Sequence, residues 1–179
     1  MAIGKVGGDV TVMGAGVFGL SVAYTCAQRG ARVRVIDPAG VAAGASGGIV
    51  GALAPHVPDQ WNDKKQFQLD SLLMADGFWA GVRNLSGIDP GYARGGRLQP
   101  LADDAAVDLA RKRAVSAGQL WQGRAGWQIV AAADHATWAP HSLSGWLVHD
   151  TLSARIHPRR ATESLAAAVV ALGGEVVRQ

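Results

Sequence analysis

The sequence predicts an α/β fold in which a βαβ unit near the N-terminus begins a parallel sheet, and three observations predict it. Asp9 to Met13 (DVTVM) is a short run rich in β-branched residues between glycines, the pattern of a buried parallel strand. A stretch of helix formers and then a second apolar strand follow within the span of one βαβ unit, whose crossover is right-handed. Near the other end Pro158 opens a further helix, and Glu175-Val176-Val177 begins a further strand after Gly173-Gly174.

Taken in order, the first strand runs into Gly14-Ala15-Gly16-Val17-Phe18-Gly19, and a helix is predicted from Leu20 to Arg29, stopped by Gly30. Ala31 to Ile36 is the second strand, ended by Asp37-Pro38. Residues 39–60 are Gly, Ala and Pro with little periodicity and read as a long loop, a length usually tied to function. Asn62 or Asp63 caps a helix reaching about Leu85, with Leu69, Leu72, Leu73, Trp79 and Val82 along one face. Asp89-Pro90-Gly91 is a turn, and Arg97 to Leu101 a short strand. Asp103 or Asp104 then caps a helix whose Val107, Ala110, Ala114, Ala117 and Trp121 alternate spacings of three and four. Trp127 to Val130 and Trp146 to Val148 suggest β-structure. All six tryptophans fall between 61 and 146, an environment unlike that of the opening unit. The last helix carries Leu165, Ala168, Val169 and Leu172 as its apolar stripe.

Composition narrows the function. Hydrophobic residues are 49% and charged residues 17% of the 179, enough for a sizeable core and too apolar for wholesale disorder. The net charge of +3 is small. Its clusters, Arg111-Lys112-Arg113 and Arg159-Arg160, read as solvated helix faces, and no aromatic and basic residues alternate along a strand, so no nucleic-acid surface is expected. The charge-poor stretches 10–28 and 38–58 are broken by Gly and Pro, so no membrane span is expected. No leader peptide is read at the N-terminus, where Lys5 precedes a Gly-Gly-Asp break. One cysteine, Cys26, excludes a disulfide framework and fits a reducing, cytoplasmic setting; it is expected as a small buried apolar residue on the first helix. Histidines 56, 135, 141, 149 and 157 lack metal-ligand spacing, so no metal site is expected.

Chemistry is carried by Gly14, Gly16 and Gly19, a G-x-G-x-x-G placed where strand becomes helix. Gly14 permits the tight turn, Gly16 lets a pyrophosphate lie on bare backbone, and Gly19 lets helix and strand pack closely. The helix N-terminus offers unpaired N–H groups and its positive dipole end to the phosphates. Asp37, at the end of the second strand, stands where a carboxylate accepts adenosine ribose hydroxyls and repels a phosphorylated ribose. Strand, turn, helix, second strand and acid together predict a Rossmann-type dinucleotide site. FAD and NAD share the ADP half, so these residues leave that choice open. Gly44-Ala45-Ser46-Gly47-Gly48 stands where an NAD domain would place a helix, and it reads either as a close approach to an extended ligand or as a flexible loop.

The chain resembles the family of glycine oxidase, sarcosine oxidase and D-amino-acid oxidase or dehydrogenase. Three places carry the resemblance: DVTVMGAGVFGLSVAYTCAQRGARVRVIDP, GASGGIVGALAPHVP and IHPRRATESLAAAVVALGGEVV, with GGRLQPLADDAAVDLARKRA less specific. It implies an FAD/NAD(P)-binding Rossmann-type domain holding part of an inserted α+β substrate domain. The implied parts are residues 1–87 and 149–179 for the FAD-binding domain and 88–148 for the substrate domain. It further implies FAD, with Gly14, Gly16, Val17, Phe18 and Gly19 at the pyrophosphate and Asp37 at the ribose. Ala45, Ser46 and Gly47, with Gly51, Ala52 and Leu53, would line the flavin side. The implied reaction oxidises a small-molecule amine or amino acid, passing hydride from the carbon bearing nitrogen to flavin. GASG followed by GAL is also similar to the oxidase part of an enzyme acting on a modified tRNA base.

Family members are longer, and the resemblance covers their N-terminal half, so catalytic residues are not assigned. A second chain or a C-terminal half is expected to complete the fold. His157-Pro158 departs from the family, which usually has an acid before the proline. Two alternatives stand beside the flavoenzyme: an NAD-dependent dehydrogenase, and a non-catalytic nucleotide-binding subunit of a split enzyme. Among other candidates, His56 reads as a surface or structural histidine, and Arg94 and Arg97 as solvent-exposed turn arginines.

Overall fold

The computed structural model describes residues 9–135 and 137–179. The N-terminal residues on which the leader expectation rests lie outside them. The fold contains β1 (Asp9–Met13), α1 (Val17–Gln28), β2 (Arg32–Ile36), a 3₁₀ turn (Ala45–Gly47) and β3 (Gly51–Leu53). After these come α2 (Asp63–Ser86), β4 (Arg97–Pro100), α3 (Asp104–Leu120), β5 (Trp127–Ala131) and a second 3₁₀ turn (Ala132–His135). The chain ends with β6 (Trp146–Asp150), β7 (Ala154–Ile156), α4 (Pro158–Ala171) and β8 (Glu175–Val177). It divides into two compact units. One gathers the residues through Gly51, Gly77–Tyr92 and Ile156–Gln179; the other is Ala52–Asp76 with Ala93–Arg155.

The first unit is built on a parallel sheet of order β1-β2-β8. Val12 pairs with Val35, and Val35 with Val176, so β2 lies between β1 and β8. Val33 and Val35 are buried, as are Leu20, Ala23, Tyr24 and Ala27 of α1 and Ala161, Leu165, Ala168 and Val169 of α4. From Ala161 to Leu165, and from Leu165 to Ala168 and Val169, the steps are three or four residues, which gives α4 one apolar face. Leu172, expected in the same stripe, is half-buried. The expectation of a fully buried β1 is corrected: exposed Asp9, Thr11 and Met13 alternate with half-buried Val10 and Val12. The same alternation runs through β2, where Arg32 and Arg34 are exposed and pair with Asp9 and Glu175. Cys26 is likewise half-buried rather than buried.

The second unit holds an antiparallel sheet of order β4-β6-β5. Its core joins Leu69 and Leu72 of α2, Ala110 and Ala117 of α3, and Trp121, Trp127, Val148 and Leu152. The rings of Trp121 and Trp127 meet edge to face at 6.1 Å. Asp103 caps α3 by accepting from the Ala106 N–H at 2.8 Å, and Asn62 accepts from Lys65 N–H at 3.1 Å ahead of α2. In the first unit the His157 side chain caps α4 by accepting from Arg160 N–H at 3.4 Å. His157 is thus the N-cap residue directly before Pro158.

Two expectations about boundaries are corrected. Helix α1 starts at Val17, not Leu20, because Gly16 is extended (φ −86°, ψ 177°) and the helical turn begins directly after it. The glycine motif is thus half turn and half first helical turn. Residues 39–60 are not loop throughout: β3 lies there and pairs with β7. Gly-Ala-Leu has little strand propensity of its own, and its partner lies about a hundred residues further along the chain.

Candidate cofactor site

The glycine motif forms a tight corner in the first unit. Gly14 has φ +108°, a conformation that side-chain-bearing residues rarely adopt, and its N–H donates to Ile36 O at 2.8 Å. Gly19 makes the closest approach: a Cβ there would lie 2.1 Å from Gly14 O and 3.2 Å from Val12 Cγ1. Strand and helix pack that closely only because the atom is missing. The N–H groups of Gly16, Phe18 and Gly19 find no acceptor among the described residues. They are free donors at the N-terminus of a helix, the arrangement that suits a phosphate. The Phe18 side chain is 89% exposed on the same turn.

The loop after β2 folds onto this corner. Ser46 Oγ accepts from the Val17 N–H at 3.0 Å, and a Cβ on Gly16 would come within 3.2 Å of that hydroxyl oxygen. Ala42 donates its N–H to Ala15 O at 3.1 Å while holding φ +58°, a strained conformation for alanine. A Cβ on Gly47 would lie 2.4 Å from Ala42 O, so only glycine fits the turn. Ala45, Ser46 and Gly47 are therefore held against the helix N-terminus. Gly51 faces Ile156 Cγ2 and Pro158 Cγ, which would sit 2.8 and 3.1 Å from an added Cβ.

Asp37 does more than the sequence reading assigned to it. Its Oδ2 accepts from Ala15 N–H at 2.8 Å, and its Oδ1 from Ala39 and Gly40 at 2.8 and 2.9 Å. One carboxylate thus ties the glycine turn to the turn after β2. About four lone-pair sites are available on a carboxylate, so Oδ2 retains one for a ligand hydroxyl. The donated hydrogen bonds, from Ala15 first, hold its pKa below the ordinary 3.8. Stabilisation from this group is therefore complete above that ordinary value and is lost as pH falls through the lower folded-state pKa. Asp37→Asn turns one acceptor into a donor facing other donors. It is expected to lower the thermal midpoint at neutral pH, with the gap from wild type narrowing below about pH 4. A gap that stays constant down the acid limb would remove the carboxylate from this role.

Ala52 and Leu53 belong to the second unit, where they line a cavity of about 250 Å³ with Ala54, Gly96, Arg97 and Ser153. The view of Arg94 and Arg97 as solvent-exposed turn residues is corrected. Arg94 donates to Thr151 O at 2.9 Å and Arg124 O at 3.0 Å and lies 3.4 Å from Asp76. Arg97 Nε lies 3.2 Å from Oδ2 of Asp150, which is 0% exposed and also accepts from Ser153 N–H and Oγ–H. Asp150 was not singled out from sequence. Only its place at the end of a strand, before a Thr-Leu-Ser turn, hinted at a turn-capping acid. His56 is half-buried and its N–H donates to Gln68 at 2.7 Å. Among the described residues no cluster of potential metal ligands occurs, and no helix is long and apolar enough to cross a membrane.

Comparison with known proteins gives the family. The family model described as "DAO: FAD dependent oxidoreductase" matches residues 9–179. The bifunctional protein MnmC of tRNA 5-methylaminomethyl-2-thiouridine biosynthesis, from Maricaulis maris (strain MCS10), is 41% identical over 56 residues. That match takes in 31% of this chain and 10% of the relative, so the chain spans about a tenth of the curated relative's length. Glycine oxidase from Geobacillus kaustophilus superposes with a TM-score of 0.72 at 17% identity, covering 96% of this chain and 45% of that one. Iminodiacetate oxidase from Chelativorans sp. BNC1 gives 0.70 at 23% identity, covering 93% and 46%.

Proposed function

This chain belongs to the DAO family of FAD-dependent oxidoreductases, and from that premise we propose that its glycine corner holds FAD for the oxidation of a small amine or amino acid. The observation that carries the reading is the corner itself: free N–H groups at the start of α1 beside glycines, of which Gly14 needs its positive φ and Gly16 and Gly19 leave little or no space for a Cβ. When bound, FAD supplies the acceptor for the electron pair and hydrogen removed at the C–N bond. The protein's part is to bind and to orient. The free N–H groups of Gly16, Phe18 and Gly19 hold the pyrophosphate, with Gly14 making the turn, while Val17, expected among them, gives its N–H to Ser46 Oγ. The remaining lone pair of Asp37 takes a ribose hydroxyl. Ala45, Ser46, Gly47 and Gly51 line the flavin side. The family match removes the NAD-dependent alternative.

Two named relatives support an amine donor. Glycine and iminodiacetate each carry an amine nitrogen on a carbon beside a carboxylate, so a small substrate of that chemistry is the reading adopted. Because the chain spans 45% of the glycine oxidase it resembles, residues beyond these 179, on one polypeptide or a second chain, are assigned the rest of the substrate site. The identity of 41% to a tRNA-modifying protein favours one further reading, in which the amine is carried on a tRNA base. Cys26, the single cysteine, suits a reducing cytoplasmic compartment.

Purified protein incubated with FAD and desalted is expected to stay yellow. Gly16→Val, which places bulk where the pyrophosphate lies, is expected to emerge colourless with an unchanged circular dichroism spectrum. A wild type that holds NAD and not FAD would overturn the proposal.

A further inference from the structure

Arg159 and Arg160 are neighbours on the first turn of α4, and the structure treats them differently. Arg160 lies 3.7 Å from a carboxylate oxygen of Asp89. Arg159 has no acid within ion-pair distance among the described residues. Its backbone N–H donates to Gly48 O at 3.1 Å, fixing the start of α4 to the end of the 3₁₀ turn. Its guanidinium folds back over that turn, with Nη2 3.1 Å from the position a Gly47 Cβ would occupy. The preceding residue, Ser46, is the one whose hydroxyl reaches the Val17 N–H.

An exposed arginine gains little by lying against bare backbone. A cation held there without a counter-charge, one residue from a hydroxyl already at the helix N-terminus, is arranged for an anion that arrives from outside. We infer that Arg159 is an anion-binding residue for the FAD pyrophosphate. It pairs with a phosphate oxygen and clamps the 3₁₀ turn over the cofactor. The inference rests on the reading of this corner as the FAD site, and it adds to the backbone donors a side-chain charge that the glycine motif does not contain. Gly47 then has a second reason to be glycine: a side chain there would push the guanidinium away as well as meeting Ala42 O.

The test is titration of the purified protein with FAD, followed by flavin fluorescence at two salt concentrations. Arg159→Gln is expected to raise the dissociation constant about tenfold, equivalent to 1.4 kcal/mol, and to flatten its salt dependence, because the screened charge is gone. Arg159→Lys is expected to recover part of the affinity and the salt slope. Arg160→Gln, which removes the Asp89 pair on the same turn, is expected to stay within twofold of wild type. Arg159 is exposed, and matching circular dichroism spectra verify that the variants fold. If Arg159→Gln binds FAD as wild type does, or loses affinity with the salt slope intact, the inference falls and the FAD site stands. If wild type binds no FAD at either salt concentration, both fall together.

Discussion

Gly19→Ala is expected to destabilise the protein by about 3 kcal/mol, the upper end of the range for overpacking. The added carbon meets a backbone carbonyl at 2.1 Å and has no flexible side chain to displace. For a chain of this size that loss corresponds to a fall in thermal midpoint of roughly 6–12 °C. Relief of the clash can come only from moving the helix off the strand or from opening the Gly14 turn. Either movement spreads the N–H groups of α1, so flavin retention is expected to fail along with stability. Differential scanning calorimetry with a flavin absorbance reading covers both. A variant that melts like wild type would mean that α1 and β1 pack less closely than described.

The second large effect concerns the other unit. Asp150→Ala removes four interactions at once: Leu152 N–H at 3.2 Å, Ser153 N–H at 2.7 Å, Ser153 Oγ–H at 3.0 Å and the Arg97 guanidinium. The donors left behind lie in a buried turn, and each unsatisfied group costs about 1–3 kcal/mol. Partial rescue by water at Arg97, whose side chain is 36% exposed, keeps the expected total near the loss for one broken buried pair, about 3 kcal/mol. Arg97→Ala in the Asp150→Ala background is expected to add little, since the pair is already broken. Single-variant costs that simply sum would dismiss the coupling between them.

The parts of the fold legible in sequence are those where local chemistry and tertiary structure ask for the same residue. Strand β1, the glycine turn and β2 were read because glycine and β-branched residues have few other uses in that order. Helices α2, α3 and α4 are legible because Leu69, Val107, Ala110, Leu165 and their neighbours repeat at helical spacing, and all four are buried. Strand β3 was missed because Gly-Ala-Leu becomes a strand only through its pairing with β7.

The candidate site divides in the same way. The roles of Gly14, Gly16 and Gly19 follow from backbone demands that the motif itself states. Asp37 was read for its charge, while its three bonds to local N–H groups depend on how two turns meet. Arg94, Arg97 and Asp150 escaped for a related reason. An arginine beside glycines looks the same in sequence whether it faces water or a carboxylate brought from 53 residues away.

The parallel sheet of the first unit has a consequence for the order of synthesis. Strand β8 joins β2 through Val35 and Val176, and Arg34 meets Glu175 across 141 residues of chain. The residues between β2 and β8 are therefore made while β1 and β2 wait with an open edge. The second unit carries no such delay, because Ala52–Asp76 and Ala93–Arg155 are all made before α4 emerges. Vectorial folding thus lets the second unit settle while the nucleotide-binding unit, begun earlier, still waits for β8 to leave the exit tunnel.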